Sequence, residues 1–129
     1  MKLKLKSIPP AIQAPVYKAA VHKTGKIGLT IETAKHFGIN TAKSIELLIN
    51  EDDASDTSVY GILKNAGQPN TYKIMKAGDY HSINAKDFFD ALKVNYEKDY
   101  ISYVVSQIAV DGTDVLKFER AKKDSSGST

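Results

Sequence analysis

The chain has 129 residues, the usual size of one domain, and its 42% hydrophobic and 26% charged residues are typical of a globular protein. It has no cysteine, which excludes disulfides, thiolate nucleophiles and cysteine-type zinc sites. The sequence has no run of ~18 apolar residues that would span a membrane, and no apolar signal-peptide stretch follows its basic start. We therefore expect a cytoplasmic protein with no membrane partner.

The net charge of +3 is unevenly distributed along the chain. Residues 1–31 contain six lysines and no acidic residue, whereas the remainder is mildly acidic. A lysine-only segment beside an acidic body suits a polyanion partner such as nucleic acid. A solubilising, disordered leader would have the same composition, so both interpretations stay open.

Residues 1–15 are predicted to form an irregular basic arm, because their prolines interrupt regular structure. Two strands then lead to a helix for which Thr30 is the expected N-cap and Gly38 the left-handed C-terminal cap. A further pair of strands follows, joined by an acidic loop. The predicted elements of this half are strands 16–24, 26–29, 45–49 and 58–64 and helix 31–37.

Residues 65–70 (Asn-Ala-Gly-Gln-Pro-Asn) form the clearest break in the chain and are predicted to join two halves of one domain. In the second half, Asn84 is the expected N-cap of a helix whose apolar stripe contains Phe88 and Leu92. The Asp-Gly pair at 111–112 is typical of a hairpin turn. The predicted elements of this half are strands 71–76, 80–83, 100–110 and 115–120 and helix 85–93, followed by a flexible tail at 121–129.

The two halves, 16–64 and 71–120, repeat one order of elements. The expected caps Thr30 and Asn84 occupy equivalent positions in the two halves, and both strands of the hairpins that follow align at one common offset. We therefore predict one α+β domain, 16–120, built from a duplicated β-β-α-β-β unit. Two apolar sheet faces are expected to close into a small barrel or sandwich with two short helices. The expected core residues are Phe37, Ile39, Ile45, Leu47, Phe88, Leu92, Ile101, Tyr103, Leu116 and Phe118.

The sequence contains no catalytic constellation. His22, His36 and His81 are not at metal-ligand spacing, and no phosphate-binding glycine loop or activated serine motif is present. The acidic loop 51–56 lacks the ligand pattern of an EF-hand and is better explained as a solvated hairpin tip. We therefore expect a non-enzymatic protein with no metal and no cofactor.

Aromatic residues offer a second indication of a nucleic-acid partner. Strand 71–76 carries Tyr72 together with Lys73 and Lys76, a combination that would present stacking surface and positive charge to single-stranded nucleic acid. Tyrosines also favour strands and fill barrel cores, so this pattern has a purely structural explanation as well.

The run Gly-Lys-Ile-Gly-Leu-Thr-Ile-Glu-Thr-Ala-Lys-His-Phe-Gly-Ile that begins at residue 25, with the strand that follows it to residue 49, resembles the core of the AbrB/SpoVT/MazE family. Lys26 occupies the family's basic position and Glu32 its acidic one. Thr30 replaces the family's proline, and Ala34 replaces an arginine that commonly contacts DNA. The resemblance implies a swapped-hairpin barrel, here a single-chain pseudo-dimer, that contacts DNA through basic residues at the strand and helix start.

These observations together predict a non-enzymatic DNA-binding protein, such as a transcriptional regulator, whose lysines contact phosphate groups. Two alternatives stay open. One is a structural or assembly protein, for instance a self-associating phage or mobile-element component, and the other is a single-stranded nucleic-acid-binding protein. The candidate DNA-binding residues are Lys18, Lys23, Lys26, Lys35, Lys73, Lys76 and Lys86.

Overall fold

Eight antiparallel strands close into a barrel that carries two short helices, in a computed structural model that describes residues 3–7 and 16–121. Most of the predicted arm and nearly all of the predicted tail lie outside the described residues. None of the helices within these ranges is long and apolar enough to cross a membrane. The elements in chain order are β1 (Tyr17–Val21), β2 (Lys26–Leu29), α1 (Ile31–Phe37), β3 (Lys43–Leu48), β4 (Val59–Asn65), β5 (Tyr72–Ala77), β6 (Tyr80–Asn84), α2 (Lys86–Ala91), β7 (Ile101–Val110) and β8 (Thr113–Arg120).

The strands follow one another around the barrel in the order β1-β2-β6-β5-β3-β4-β8-β7, and β7 returns to β1. A barrel is one of the two architectures that the sequence predicts. The ring of neighbours is unchanged when β1 to β4 are exchanged in order with β5 to β8. Each half therefore contributes to the closure of the other, and neither forms a separate sheet.

The two long hairpins differ in register, so the predicted common offset is wrong for them. Leu47 of β3 pairs with Gly61 of β4. The predicted offset places Tyr103 and Lys117 at the equivalent positions, but Tyr103 pairs with Arg120 instead. The turns explain the difference. Asp111 and Gly112 close the second hairpin tightly with φ angles of 51° and 80°, whereas the first hairpin closes through the loop 49–58.

Helix α1 has the predicted bounds and caps. The Thr30 hydroxyl accepts a hydrogen bond from the Thr33 backbone N–H at 3.3 Å. At the other end Gly38 takes the left-handed conformation (φ 68°), and the Ile39 N–H donates to the Ala34 carbonyl at 2.9 Å. Buried Ile39 then anchors the end of the helix in the core.

Helix α2 departs from the prediction at both ends. Asn84 is the last residue of β6 and pairs with Lys26, so Ala85 takes the N-cap position and makes no side-chain cap hydrogen bond. The helix ends at Ala91, and the Val94 N–H donates back to the Phe89 carbonyl. Leu92 lies in this final turn, 37% exposed, and the predicted burial of its side chain is wrong.

The core contains most of the predicted residues. Phe37 and Leu47 are only partly buried and pack against its margin. Phe89, which is fully buried, takes the place expected for Leu92 beside Phe88. The predicted core residues that are buried are Ile39, Ile45, Phe88, Ile101, Tyr103, Leu116 and Phe118.

Candidate nucleic-acid interface

The outer surface of β7, β1, β2 and β6 has a floor of small side chains. Side chains alternate between the two faces of a strand, so the residues paired across neighbouring strands form rows on the outside of the barrel. In one row Ser102 of β7 pairs with Ala20 of β1, Ala20 pairs with Gly28 of β2, and Gly28 pairs with Ser82 of β6. None of these side chains is larger than serine, so the row is a depression in the barrel surface.

Two of the candidate lysines lie in the adjoining row. Lys26 pairs with Asn84 of β6, and the register of β5 with β6 brings Lys73 beside Asn84 on its other side. Strands are spaced about 4.8 Å apart, so the two lysine backbones are separated by about 10 Å. Lys73 is exposed and Lys26 is half-buried.

The turn between β1 and β2 brings two further lysines to the same end of the barrel. His22 and Gly25 close this turn with a backbone hydrogen bond of 2.9 Å, and Lys23 lies exposed within it. The backbone of Lys86, at the start of α2, packs directly on Gly25, where a β-carbon would approach the Lys86 α-carbon to 2.8 Å. Both halves of the chain therefore contribute to one group, called here the turn cluster: Lys23, Lys26, Lys73 and Lys86.

Lys86 is the one member of the turn cluster whose charge has a carboxylate partner among the described residues. Its ammonium group donates a hydrogen bond of 2.7 Å to Asp90, which also accepts one of 2.7 Å from the Tyr96 hydroxyl. The bond to Asp90 raises the pKa of Lys86, and the same bond is the largest cause of a lowered pKa at Asp90. Within residues 3–7 and 16–121, Lys23, Lys26 and Lys73 form no salt bridge.

The remaining candidate lysines lie elsewhere. Lys18 and Lys35 line a second hollow at the start of α1 together with Glu32. His36 lies in the same hollow with its ring stacked on Tyr17 at 4.1 Å between centroids. Lys76 lies near the opposite end of β5 from Lys73 and pairs with His81. The seven candidate lysines therefore divide into the turn cluster and three that lie elsewhere, a division that no pattern in the sequence indicates.

His22 and Tyr80 form a hydrogen-bonded pair that no pattern in the sequence indicates. The Tyr80 hydroxyl lies 2.5 Å from His22 Nε2, although the two residues belong to different halves of the chain. Both polar atoms lie directly over Gly28, where any β-carbon would collide with them. Partial burial of its ring raises the pKa of Tyr80. The pair, called here the clasp, joins the β1–β2 turn of the first half to β6 of the second.

A pit of about 610 Å³ lies beside the clasp. Its floor contains Ala20, Gly28 and Ser102, and its walls contain Tyr80 and the 75% exposed Tyr100. Lys18 lies at the rim, and it is the only charged residue among those that line the pit in the described part of the chain. Only in the closed barrel do these residues, from four strands and the segment before β7, come together.

No protein-family model, curated protein or solved structure matches this chain. The resemblance to the AbrB/SpoVT/MazE family therefore stays a prediction, and so does the function that it implies. Any assignment depends on the geometry of the chain itself.

Proposed function

We propose that this barrel is a non-enzymatic DNA-binding protein that holds the sugar-phosphate backbone with its turn cluster. The observation that carries the proposal is that lysines distant in sequence lie at the same end of the barrel. Lys23 and Lys26 come from the β1–β2 turn, Lys73 from β5 and Lys86 from α2. Neighbouring cations on a rigid scaffold suit a regularly spaced polyanion.

The four lysines of the turn cluster are expected to contribute unequally to DNA affinity. Lys23, Lys26 and Lys73 have no carboxylate partner within the described ranges and would contribute most of the affinity. Lys86 is already paired with Asp90 and would contribute less. Phosphate contacts of this kind supply affinity and orientation but carry no sequence information. A role in transcriptional regulation would need base contacts in addition.

Fluorescence polarisation with labelled duplex and single-stranded DNA at two salt concentrations tests the proposal. Binding through lysine–phosphate contacts should weaken steeply as salt rises, because each contact releases a condensed counterion. Absence of binding to either DNA at low salt would refute the proposal.

We also propose that the two halves derive from one duplicated β-β-α-β-β unit. The element order and the exchangeable ring of strands support this history, and the different register of the hairpins would be a later change. Residues 16–64 should superpose on residues 71–120 through an approximate two-fold axis, which a crystal structure of the chain would test. A relation far from two-fold, or helices that fail to superpose, would contradict it.

An assembly role is the second candidate function, and the arm favours it. Leu3 and Leu5 are 78% and 87% exposed and alternate with lysines, so an extended arm would present apolar side chains on one face. Light scattering at high salt separates the two functions. An apolar assembly contact should persist there, whereas DNA binding should be lost. A monomer at all salt concentrations would exclude assembly through copies of this chain.

A further inference from the structure

The pit beside the clasp has a floor of small residues, aromatic walls and one lysine at its rim. Its floor is formed by small residues from three neighbouring strands. The clasp covers Gly28, and the small side chains of Ala20 and Ser102 leave room beside it for a flat group to approach the sheet. Its walls are aromatic. Tyr80 is fixed by its hydrogen bond to His22, whereas Tyr100 is largely exposed and makes no side-chain hydrogen bond within the described chain.

The charge at the rim indicates the sign of an occupant. Lys18 lies at the rim, and Asp and Glu are absent from the described residues that line the pit. Lys26 begins the strand that contributes Gly28 to the floor, so the turn cluster lies on the same outer face. An occupant that extends beyond the pit in this direction meets further positive charge.

We propose that the pit binds one unpaired nucleotide of a single-stranded nucleic acid, with its base stacked on Tyr100 and its phosphate beside Lys18. The volume of about 610 Å³ lies within the range of small-ligand pockets and exceeds what a single base needs. A base has a flat aromatic face that can stack on Tyr100. Its phosphate can pair with Lys18, which forms no salt bridge within the described residues. The inference rests on the proposed function, because the turn cluster holds the neighbouring phosphates of the strand.

A single strand fits the pit better than a duplex does. In a duplex each base is paired and stacked inside the helix, so it cannot enter a pit without being flipped out. An unpaired base enters without that cost, and aromatic stacking accepts any base. The binding therefore favours single strands over duplexes and depends little on sequence.

The test uses the full chain and fluorescence polarisation with four probes: a short oligothymidylate, an abasic oligonucleotide of the same length, a duplex and a mononucleotide. The variant Tyr100→Ala removes the stacking surface, and Tyr100→Phe restores it. The matched control is Val110→Ala, which shortens an exposed apolar side chain on the β7–β8 hairpin. Thermal melts confirm that each variant is folded.

Tyr100→Ala should weaken oligothymidylate binding by about 5- to 150-fold, the range of one lost base stack. Its duplex affinity and its salt slope should not change, because no cation is removed. Tyr100→Phe should bind within about twofold of the parent protein, since a phenylalanine ring also stacks on a base. The abasic oligonucleotide should bind the parent as weakly as oligothymidylate binds Tyr100→Ala.

The outcomes that overturn the inference are distinct from those that overturn the proposed function. If Tyr100→Ala binds oligothymidylate as tightly as the parent does and DNA binding still depends on salt, the pit does not bind a nucleotide. The proposed function then still holds. Abasic and intact strands that bind equally well lead to the same conclusion. If a mononucleotide binds as tightly as the oligonucleotide, the ligand of the pit is a free nucleotide and the inference of a single strand is wrong. No binding to any strand refutes the inference and the proposed function together.

Discussion

Helices α1 and α2 follow equivalent pairs of strands, yet different interactions hold them in place. The start of α1 is fixed by hydrogen bonds. Fully buried Thr33 accepts from the Lys18 backbone N–H at 2.9 Å and donates to the Lys18 carbonyl at 3.0 Å. The start of α2 has no side-chain cap, and the helix is held by Phe88 and Phe89, which pack against Tyr72 and Tyr96.

This difference between α1 and α2 shows that a helix in the same position of the fold can be stabilised either by local hydrogen bonds or by tertiary packing. The cap of α1 involves residues close to the helix and one neighbouring strand. Helix α2 depends on apolar burial in the shared core. Damage to the α2 contacts should therefore affect stability more than damage to the α1 hydrogen bonds.

The largest effect is expected for Phe89→Ala. Phe89 is completely buried, so its truncation removes apolar burial and leaves a cavity, at a cost of about 3–5 kcal/mol in the free energy of unfolding. Leu92→Ala in the turn that ends the same helix is the control and should cost clearly less than Phe89→Ala, because Leu92 is 37% exposed and its truncation leaves no enclosed cavity. Urea denaturation measures both. Equal losses would mean that α2 is not held by the packing described here.

An intermediate effect is expected for Thr33→Val in α1. Valine has nearly the shape of threonine but lacks the hydroxyl, so the Lys18 backbone N–H loses its hydrogen-bond partner, while the Lys18 carbonyl keeps those from Thr30. An unsatisfied group in such a position costs about 1–3 kcal/mol. Thr33→Ser keeps the hydroxyl and should recover most of this stability. Urea denaturation that finds Thr33→Val as stable as the parent would show that the α1 hydrogen bonds contribute little.

The smallest effect is expected for the exposed network on α2. Hydrogen bonding to Lys86 lowers the pKa of Asp90, so its stabilisation is fully present above the unfolded pKa of about 3.9. This stabilisation is lost as the pH falls through the lower pKa that Asp90 has in the folded protein. The raised pKa of Lys86 adds stability that is lost only as pH rises through its folded value, above 10.5.

Stability measured against pH for the parent and for Asp90→Asn tests this network. The difference between the two proteins should be small and constant at neutral pH and should shrink at both extremes, since an exposed pair contributes little. A difference that grows as the solution is acidified would contradict the assigned direction.

The sequence predicted α1 well because its signals are local. Thr30 and Gly38 lie next to the helix that they cap, and neither depends on a distant partner. The hairpin turn at Asp111 and Gly112 was equally local. In α2, by contrast, strand pairing with Lys26 outweighed the capping tendency of Asn84.

From the sequence, the residue types of the candidate site could be predicted, but not which of them lie close together. The lysine excess of residues 1–31 made Lys23 and Lys26 candidates, and the comparable positions of the second half made Lys73 and Lys86 candidates. Only the order of strands around the barrel brings the four to one end. The clasp between His22 and Tyr80 and the pit beside it depend on pairings across the two halves. No pattern along the chain indicates such pairings.

The most direct test of the turn cluster compares two double variants with the same net charge. Lys23→Ala with Lys26→Ala removes two of its members, and Lys35→Ala with Lys76→Ala removes two lysines that lie elsewhere. Duplex affinity is measured for both and for the parent across a range of salt concentrations. The first variant should flatten the slope of log affinity against log salt by about 0.9 for each lost contact, while the second leaves it near the parent value. Equal slopes for the two variants would contradict a phosphate-binding site at the turn cluster.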